Sequence, residues 1–338
     1  MDHIKLNPTE HVTKHVTESL SPKTFGIVDS AYEFIIHTFG CKVNSYDTGL
    51  IQKNLMSNGF KVLKSEEHKN TKTAVHVLNT CAVTAEATQQ AVKLIRKIKS
   101  KEPLATVVVT GCAAQVDTGA FENLTGADLV VANSHKGLLP SLIDQHFKNP
   151  NQQKVYKSNI FKKEDLEAGG GEELQHTRSF LKIQDGCNSF CSFCIIPYAR
   201  GKSRSIPINQ LVLKINELEK KGIQEVVLTG VHIGDYEDMA LNGQVKTFED
   251  LIEAVLMKTK IPRIRLSSLE PIELTDKLLE LYRNDRLCPH FHMSIQSADT
   301  DVLVQMKRKY SEFDVRASLN KIQNQMQNQM QNQMQNAY

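Results

Sequence analysis

Between Tyr32 and His146, short runs of apolar residues alternate with longer stretches of mixed polarity. "EFIIHTFGC", "AVHVLNTC" and "ATVVVTGC" are rich in Val and Ile and end in small or turn-forming residues, the pattern of strands buried on both faces. Between them, "SYDTGLIQKNLMSNGF" and "TAEATQQAVKLIRKIKSK" carry apolar positions at helical spacing, the first closed by Gly59 at a C-cap. "GADLVVANS" and "KGLLPSLIDQHF" continue the series as a further strand and helix. Such alternation predicts a parallel sheet with helices packed on its faces.

Residues 148–175 are polar, contain "EAGGGEE" and read as a linker. Beyond them "RSFLKIQDG", "EVVLTGVHIG", "RIRLSSLEP" and "PHFHMSIQSA" read as strands, each followed by a helical stretch. Four βα units suggest part of a parallel barrel and are too few to close one. The expected fold class is therefore α/β, with an N-terminal parallel-sheet domain over 32–147 and an incomplete (β/α) barrel over 176–322. The flanks belong to neither. Residues 1–31 are polar and read as a disordered leader, and 323–338 hold the repeat "QNQM", read as a disordered low-complexity tail or the scar of a truncated chain.

Composition adjusts this picture only slightly. At 338 residues and 40% apolar content the chain can build two sizeable cores. No apolar run approaches the roughly 18 residues of a membrane span, and no secretory signal opens the sequence, so a cytoplasmic protein without membrane contact is expected. A net charge of +3 is too small to announce a nucleic acid by itself. The basic runs "KLIRKIKSK", "RGKSR" and "KRK" each read, taken alone, as a solvated face or loop. Seven cysteines, odd in number and clustered, argue in a reducing compartment for metal binding or catalysis over disulfides.

Cys187, Cys191 and Cys194 form CxxxCxxC just past the strand "SFLKIQ", at the carboxyl end where parallel sheets and barrels hold their ligands. A structural zinc would need a fourth ligand, for which only the remote Cys288 and His290 stand out. An iron–sulfur cluster on three cysteines would keep one iron open to a small molecule; spacing and barrel context favour it, with zinc as the alternative. Cys41, Cys81 and Cys112 each close a buried strand and precede a helical segment. Any one of them alone reads as a small core hydrophobe. Three at equivalent strand ends predict a second three-thiolate site in one crevice. Cys288, before Pro289, reads as structural.

The six cysteines carry a family likeness. The chain resembles the radical S-adenosylmethionine methylthiotransferases: CxxxCxxC is the signature of the wider radical superfamily, and "TFGCKVNSYD", "LNTCAVT" and "TGCAAQ" mark the methylthiotransferase branch. "KIQDGCNSFCSFCIIPYARG", "VVLTGVHIGDY" and "RIRLSSLEP" are most similar to the enzymes that modify threonylcarbamoyladenosine in tRNA. Enzymes acting on isopentenyladenosine or on a ribosomal protein, and an inactive cluster-binding protein, are the alternatives. The resemblance implies two [4Fe–4S] clusters. One, on Cys187, Cys191 and Cys194, would bind S-adenosyl-L-methionine and split it to a 5′-deoxyadenosyl radical that takes hydrogen from C2 of an adenosine in the tRNA anticodon stem-loop. The auxiliary one, on Cys41, Cys81 and Cys112, would carry the sulfur to be transferred, and a second S-adenosyl-L-methionine would give the methyl group. An electron donor such as flavodoxin or ferredoxin is implied as a partner.

Gly230, which ends the second barrel strand, is expected to let backbone approach the cofactor as such strand ends do in the superfamily, or to be a plain turn. Ser267, Ser268 and Glu270 after the third strand and Gln296 and Ser297 after the fourth fall on the expected catalytic edge and read as cofactor or substrate contacts, or as polar loop residues. Arg200 and Arg204 are expected to meet tRNA phosphates or the cofactor carboxylate, or to lie in solvent. Family members continue with two more strands and a small RNA-binding β-barrel domain, so a truncated chain with an open barrel edge is expected.

Overall fold

The computed structural model describes residues 32–63, 74–150, 153–164, 166, 178–239 and 243–335, so the expected leader lies outside the described residues. The first half comprises β1 (Glu33–Thr38), α1 (Lys42–Ser57), β2 (Lys61–Val62), β3 (Ala74–Thr80), α2 (Ala85–Lys101), β4 (Thr106–Gly111), α3 (Cys112–Val116), α4 (Thr118–Glu122), β5 (Leu129–Ala132), α5 (Leu139–Lys148) and β6 (Val155–Tyr156). Its strands form one parallel sheet in the order β2-β1-β3-β4-β5-β6. Every residue of β3, β4 and β5 is buried, which is why these strands read as unbroken apolar runs. α2 turns Ala91, Ile95 and Ile98 inward and leaves Lys93, Arg96 and Lys97 of its basic run exposed. Thr84 caps it by accepting the Ala87 N–H at 3.2 Å.

The expected linker begins too early. Inside it, β6 pairs with β5 through Val130 and Val155, and Ile160 is buried just beyond. Two strand residues at a sheet edge are too few to leave a periodic signal.

The second half comprises β7 (Arg178–Lys182), β8 (Gln184–Asp185), α6 (Ile196–Arg200), β9 (Arg204–Ser205), α7 (Ile208–Lys220), β10 (Glu225–Thr229), β11 (Asp238–Met239), β12 (Val245–Lys246), α8 (Phe248–Lys258), β13 (Arg263–Leu266), β14 (Ser268–Leu269), α9 (Asp276–Leu281), β15 (His292–Met293), α10 (Thr300–Gln305) and α11 (Glu312–Gln335). β7, β10 and β13 pair in parallel. β14, separated from β13 by Ser267, pairs in parallel with β15, so the four units lie side by side as an arc of a barrel.

The tail differs from expectation. It is helical to Gln335 rather than disordered from residue 323, and residues 336–338 lie outside the described residues. α11 is anchored at its start, where Val315 is buried and the Ser318 hydroxyl donates to Pro271 O at 2.7 Å. Gln and Met are good helix formers and the repeat holds no Gly or Pro, so nothing stops a helix already nucleated by packing. Among the described residues no helix is long and apolar enough to cross a membrane.

The halves share a core. Tyr46 on α1 is fully buried in the cluster formed by Leu181, Leu211, Val226 and Ile264 of the second half, with Lys182 Nζ 5.2 Å from its ring centre. Tyr46→Ala is expected to cost about 3–5 kcal/mol and to split one calorimetric unfolding transition into two. A single transition at the original temperature would refute that coupling.

Candidate functional site

The carboxyl ends of the neighbouring strands β1, β3 and β4 bring Cys41, Cys81 and Cys112 to one edge of the sheet. Cys81 and Cys112 are buried, while Cys41, the N-cap of α1, is exposed. Burial pushes the Cys81 thiol up, and the adjacent Cys112 and Cys41 push it further, so the three sulfurs share one electrostatic environment.

Two glycines permit this approach. A Cβ on Gly40, at φ +95°, would stand 2.6 Å from both the Cβ and Sγ of Cys81. One on Gly111, at φ +97°, would stand 2.3 Å from Thr80 O. Asn44 ties the strand ends together, its Nδ2 donating to Phe39 O at 2.7 Å and Thr80 O at 3.0 Å.

The second trio lies on the loop between β8 and α6. The Cys187 N–H donates to Gly201 O at 3.1 Å, and the backbone and hydroxyl of Ser192 donate to Met306 O and Gln305 O at 3.1 and 2.9 Å. Gln184 fastens the loop to the strand end beside it: its Nε2 donates to Gly186 O at 2.8 Å, and its Oε1 accepts from the N–H groups of Val231 and His232. His232 Nδ1 is 3.7 Å from Cys187 Sγ and its Nε2 is 2.5 Å from Glu273 Oε1. Burial opposes charge on this ring, but its bonds to Cys187 and Glu273 and the charge of Glu270 win, and its pKa is pushed up to about 11. Burial also works against the Cys187 thiolate; hydrogen bonds from His232 and Ser189 outweigh it and hold that pKa below the usual thiol value.

The two trios are joined through α6. It begins two residues after Cys194, and its Ala199 O accepts from Asn133 Nδ2, which also donates to Cys112 Sγ at 3.7 Å. A helix of this length spans only about 7.5 Å.

The last residue of α6 overturns an expectation. Arg200 is 3% exposed and so does not lie in solvent; it lines a cavity with Asp47, Lys136, Lys182 and Asp185. Its guanidinium bonds Asp185 at 2.9 and 3.1 Å, Asp47 at 3.2 Å and Asn44 Oδ1 at 2.6 Å. Arg204 is half-buried and donates to Lys163 O and Arg200 O.

The remaining predicted residues divide. Glu270 is buried near the cysteine loop, 3.8 Å from His232 and paired with Arg308. Gly230 is packed against Gln184, whose carbonyl oxygen a Cβ would meet at 2.9 Å. Ser267 is buried and accepts from Thr229 Oγ1 at 3.4 Å, while Ser268 is 3.1 Å from His292 Nδ1. Gln296 is exposed with φ +63°, and Ser297 Oγ accepts the Asp299 N–H, a turn-stabilising bond. The sequence reading missed His232, Glu273, Arg308, Asn44 and Asp47. Two signals were available: the polar Asn44 and Asp47 on the face of α1 that also carries Val43, Tyr46 and Ile51, and Arg308 within the basic run "KRK".

The donor chemistry tests what each trio can hold. A structural zinc takes four protein ligands. Each trio offers three sulfurs with no fourth cysteine beside them, a donor set that fits three corners of an iron–sulfur cluster with one position left open. Nearby, ligand atoms of His232, Glu270 and Glu273 lie within 4.8 Å of one another.

Residues 33–132 match Uncharacterized protein family UPF0004, and residues 181–330 match the Radical SAM superfamily. Threonylcarbamoyladenosine tRNA methylthiotransferase MtaB of Rickettsia prowazekii is 37% identical over 85% of this chain and 64% of its own length. The MtaB of Aquifex aeolicus is 35% identical over 84% of this chain and 68% of its own. The chain belongs to the radical SAM methylthiotransferase family. Membership implies S-adenosylmethionine and a [4Fe–4S] cluster as cofactors. The chain spans about two thirds of the length of these relatives. The fold is shared with the radical S-adenosylmethionine methyltransferase TsrM of Kitasatospora setae, at a TM-score of 0.61 and 12% identity over 88% of this chain and 66% of that one.

Gly111→Ala places a methyl group against the Thr80 backbone at a left-handed φ. It is expected to destabilise the fold by about 3 kcal/mol in chemical denaturation. Wild-type stability would contradict the packing argument.

Proposed function

We propose that this methylthiotransferase family member transfers a methylthio group to C2 of N6-threonylcarbamoyladenosine in the anticodon stem-loop of tRNA. The observation that carries the reading is the joining of two three-thiol sites through one short helix, α6, so that radical formation and sulfur delivery can face one bound nucleoside. The substrate follows the name printed for the MtaB relatives.

In this reading Cys187, Cys191 and Cys194 hold one [4Fe–4S] cluster, and Cys41, Cys81 and Cys112 hold the auxiliary one. With S-adenosylmethionine these groups would supply a carbon radical at the Cys187, Cys191 and Cys194 site and a sulfur atom at the Cys41, Cys81 and Cys112 site. The chain's own residues bind, orient and shield. His232 fixes Cys187 through a ring anchored on Glu273. Arg308 lies 5.5 Å from the centre of the Phe193 ring, is paired with Glu270, and has a buried Nε with no hydrogen-bond partner. That free donor suits an anionic group such as the cofactor carboxylate. Glu270, Ser267 and Ser268 line the same barrel edge, and the exposed Gln296 and the neighbouring Ser297 are available to a substrate. The electron comes from a flavodoxin- or ferredoxin-like donor in the cytoplasm.

Nucleoside mass spectrometry of tRNA from a strain lacking the modification, complemented with this chain, is expected to show restored 2-methylthio-threonylcarbamoyladenosine. A methylthio group on isopentenyladenosine instead would move the substrate to the other tRNA branch. Unchanged tRNA alongside soluble, iron-loaded protein would reject the activity.

Cys191→Ala is expected to abolish 5′-deoxyadenosine formation and to lower the iron content from about eight to about four per chain. Undiminished product would reject the assignment of the second trio.

A further inference from the structure

Five charged side chains meet where the halves join: Asp47 from α1, Lys182 from β7, Asp185 from β8 and Arg200 from α6, all buried, and the partly exposed Lys136 from the turn before α5. Lys182 Nζ is 2.6 Å from Asp47 and 3.0 Å from Asp185; Lys136 Nζ is 3.0 Å from Asp47. Arg200 reaches both carboxylates. Three cations thus face two carboxylates, leaving a surplus positive charge in a region where none of the five side chains is more than 12% exposed.

Buried ion pairs contribute little net stability over apolar packing. Neutral pairing would have served the fold better, so the surplus charge needs another explanation. Its surroundings supply one. Arg200 bonds Asn44, which holds the strand ends carrying Cys41 and Cys81. Arg200 follows Ala199, which shares Asn133 with Cys112. The surplus positive charge therefore lies against the first cysteine trio, although Arg200 comes from the loop of the second.

We propose that Arg200 is a positioning residue for the auxiliary site, inserted from the loop of the other cysteine trio, and that its charge, shared with Lys136 and Lys182, raises the reduction potential of a cluster held by Cys41, Cys81 and Cys112. This rests on reading that trio as a cluster site. Three thiolates outweigh the charge of an oxidised [4Fe–4S] core, and reduction adds a further electron in a low-dielectric setting. A fixed cation nearby favours the reduced form, and net charge is one of the levers that set cluster potentials. Because the cation arrives with α6, the auxiliary site acquires its potential only when the halves are docked.

The test uses the full chain with Cys187, Cys191 and Cys194 all replaced by Ala, reconstituted with iron and sulfide without tRNA or S-adenosylmethionine. Its result is thus independent of the proposed substrate. An electron paramagnetic resonance redox titration is compared with the same background carrying Arg200→Gln, Arg200→Lys or Lys136→Gln.

Arg200→Gln is expected to move the midpoint to a more negative potential by about 59 mV or more, a tenfold change for one electron. Arg200→Lys keeps the charge and should shift it less. Lys136→Gln removes a charge without disturbing α6 and should shift it in the same direction, which carries the test if Arg200→Gln fails to fold. Midpoints unchanged in the charge-removing variants that fold would overturn the proposal, as would a background protein that takes up no iron.

Discussion

The docking of Arg200 onto Asp47, Asp185 and Asn44 is the contact on which the arrangement of the two cysteine sites depends. Removing one partner from a buried ion pair leaves an unpaired charge and costs about 3–5 kcal/mol, whereas replacing the whole set with apolar groups is often neutral or stabilising. The network is therefore a weak source of stability but a strict enforcer of position. Asp47 and Asn44 lie on the helix that starts at the Cys41 strand end, and Arg200 lies on the helix that starts beside Cys194. With the guanidinium seated, both helix starts are fixed relative to each other. Tyr46, one residue before Asp47, adds the apolar part of the same contact.

Much of this was legible in the sequence because it follows from periodicity and topology. Fully buried parallel strands read as apolar runs, and β3 and β4 were found on that signal. Parallel strands joined by helices must end at one edge, so cysteines placed after each strand had to meet. Cys81 and Cys112 lie one residue past β3 and β4, and Cys41 opens the helix after β1. The partial barrel followed from the same alternation, including its fourth unit, although β15 is only two residues long.

What escaped was set by tertiary contacts. "RGKSR" has the composition of an exposed basic turn, and nothing local reveals that Arg200 faces two carboxylates, one of them 153 residues away. His232 and Glu273 are 41 residues apart, and each alone reads as a loop residue. β6 is too short to be periodic, and the helical tail continues because α11 is anchored upstream rather than because the repeat is amphipathic. Gly230 was legible only as a glycine at a strand end; that its missing side chain makes room for Gln184 is set by the packing.

The second cysteine site is also organised by charge balance. Glu270 and Glu273 face the charged His232, and Arg308 pairs with Glu270, so two carboxylates meet two cations behind the Cys187 loop. Burial raises the Glu270 pKa, and the nearby cations work against that rise. A balanced cluster of this kind holds its members still without imposing a large field on the loop. The donor left over is Arg308 Nε, buried beside Phe193 and Tyr310. Both carboxylates already have cationic partners, so the group this cluster leaves without a hydrogen-bond partner is a donor and not an acceptor, and the surplus of hydrogen-bonding capacity sits on the arginine that packs against the two rings.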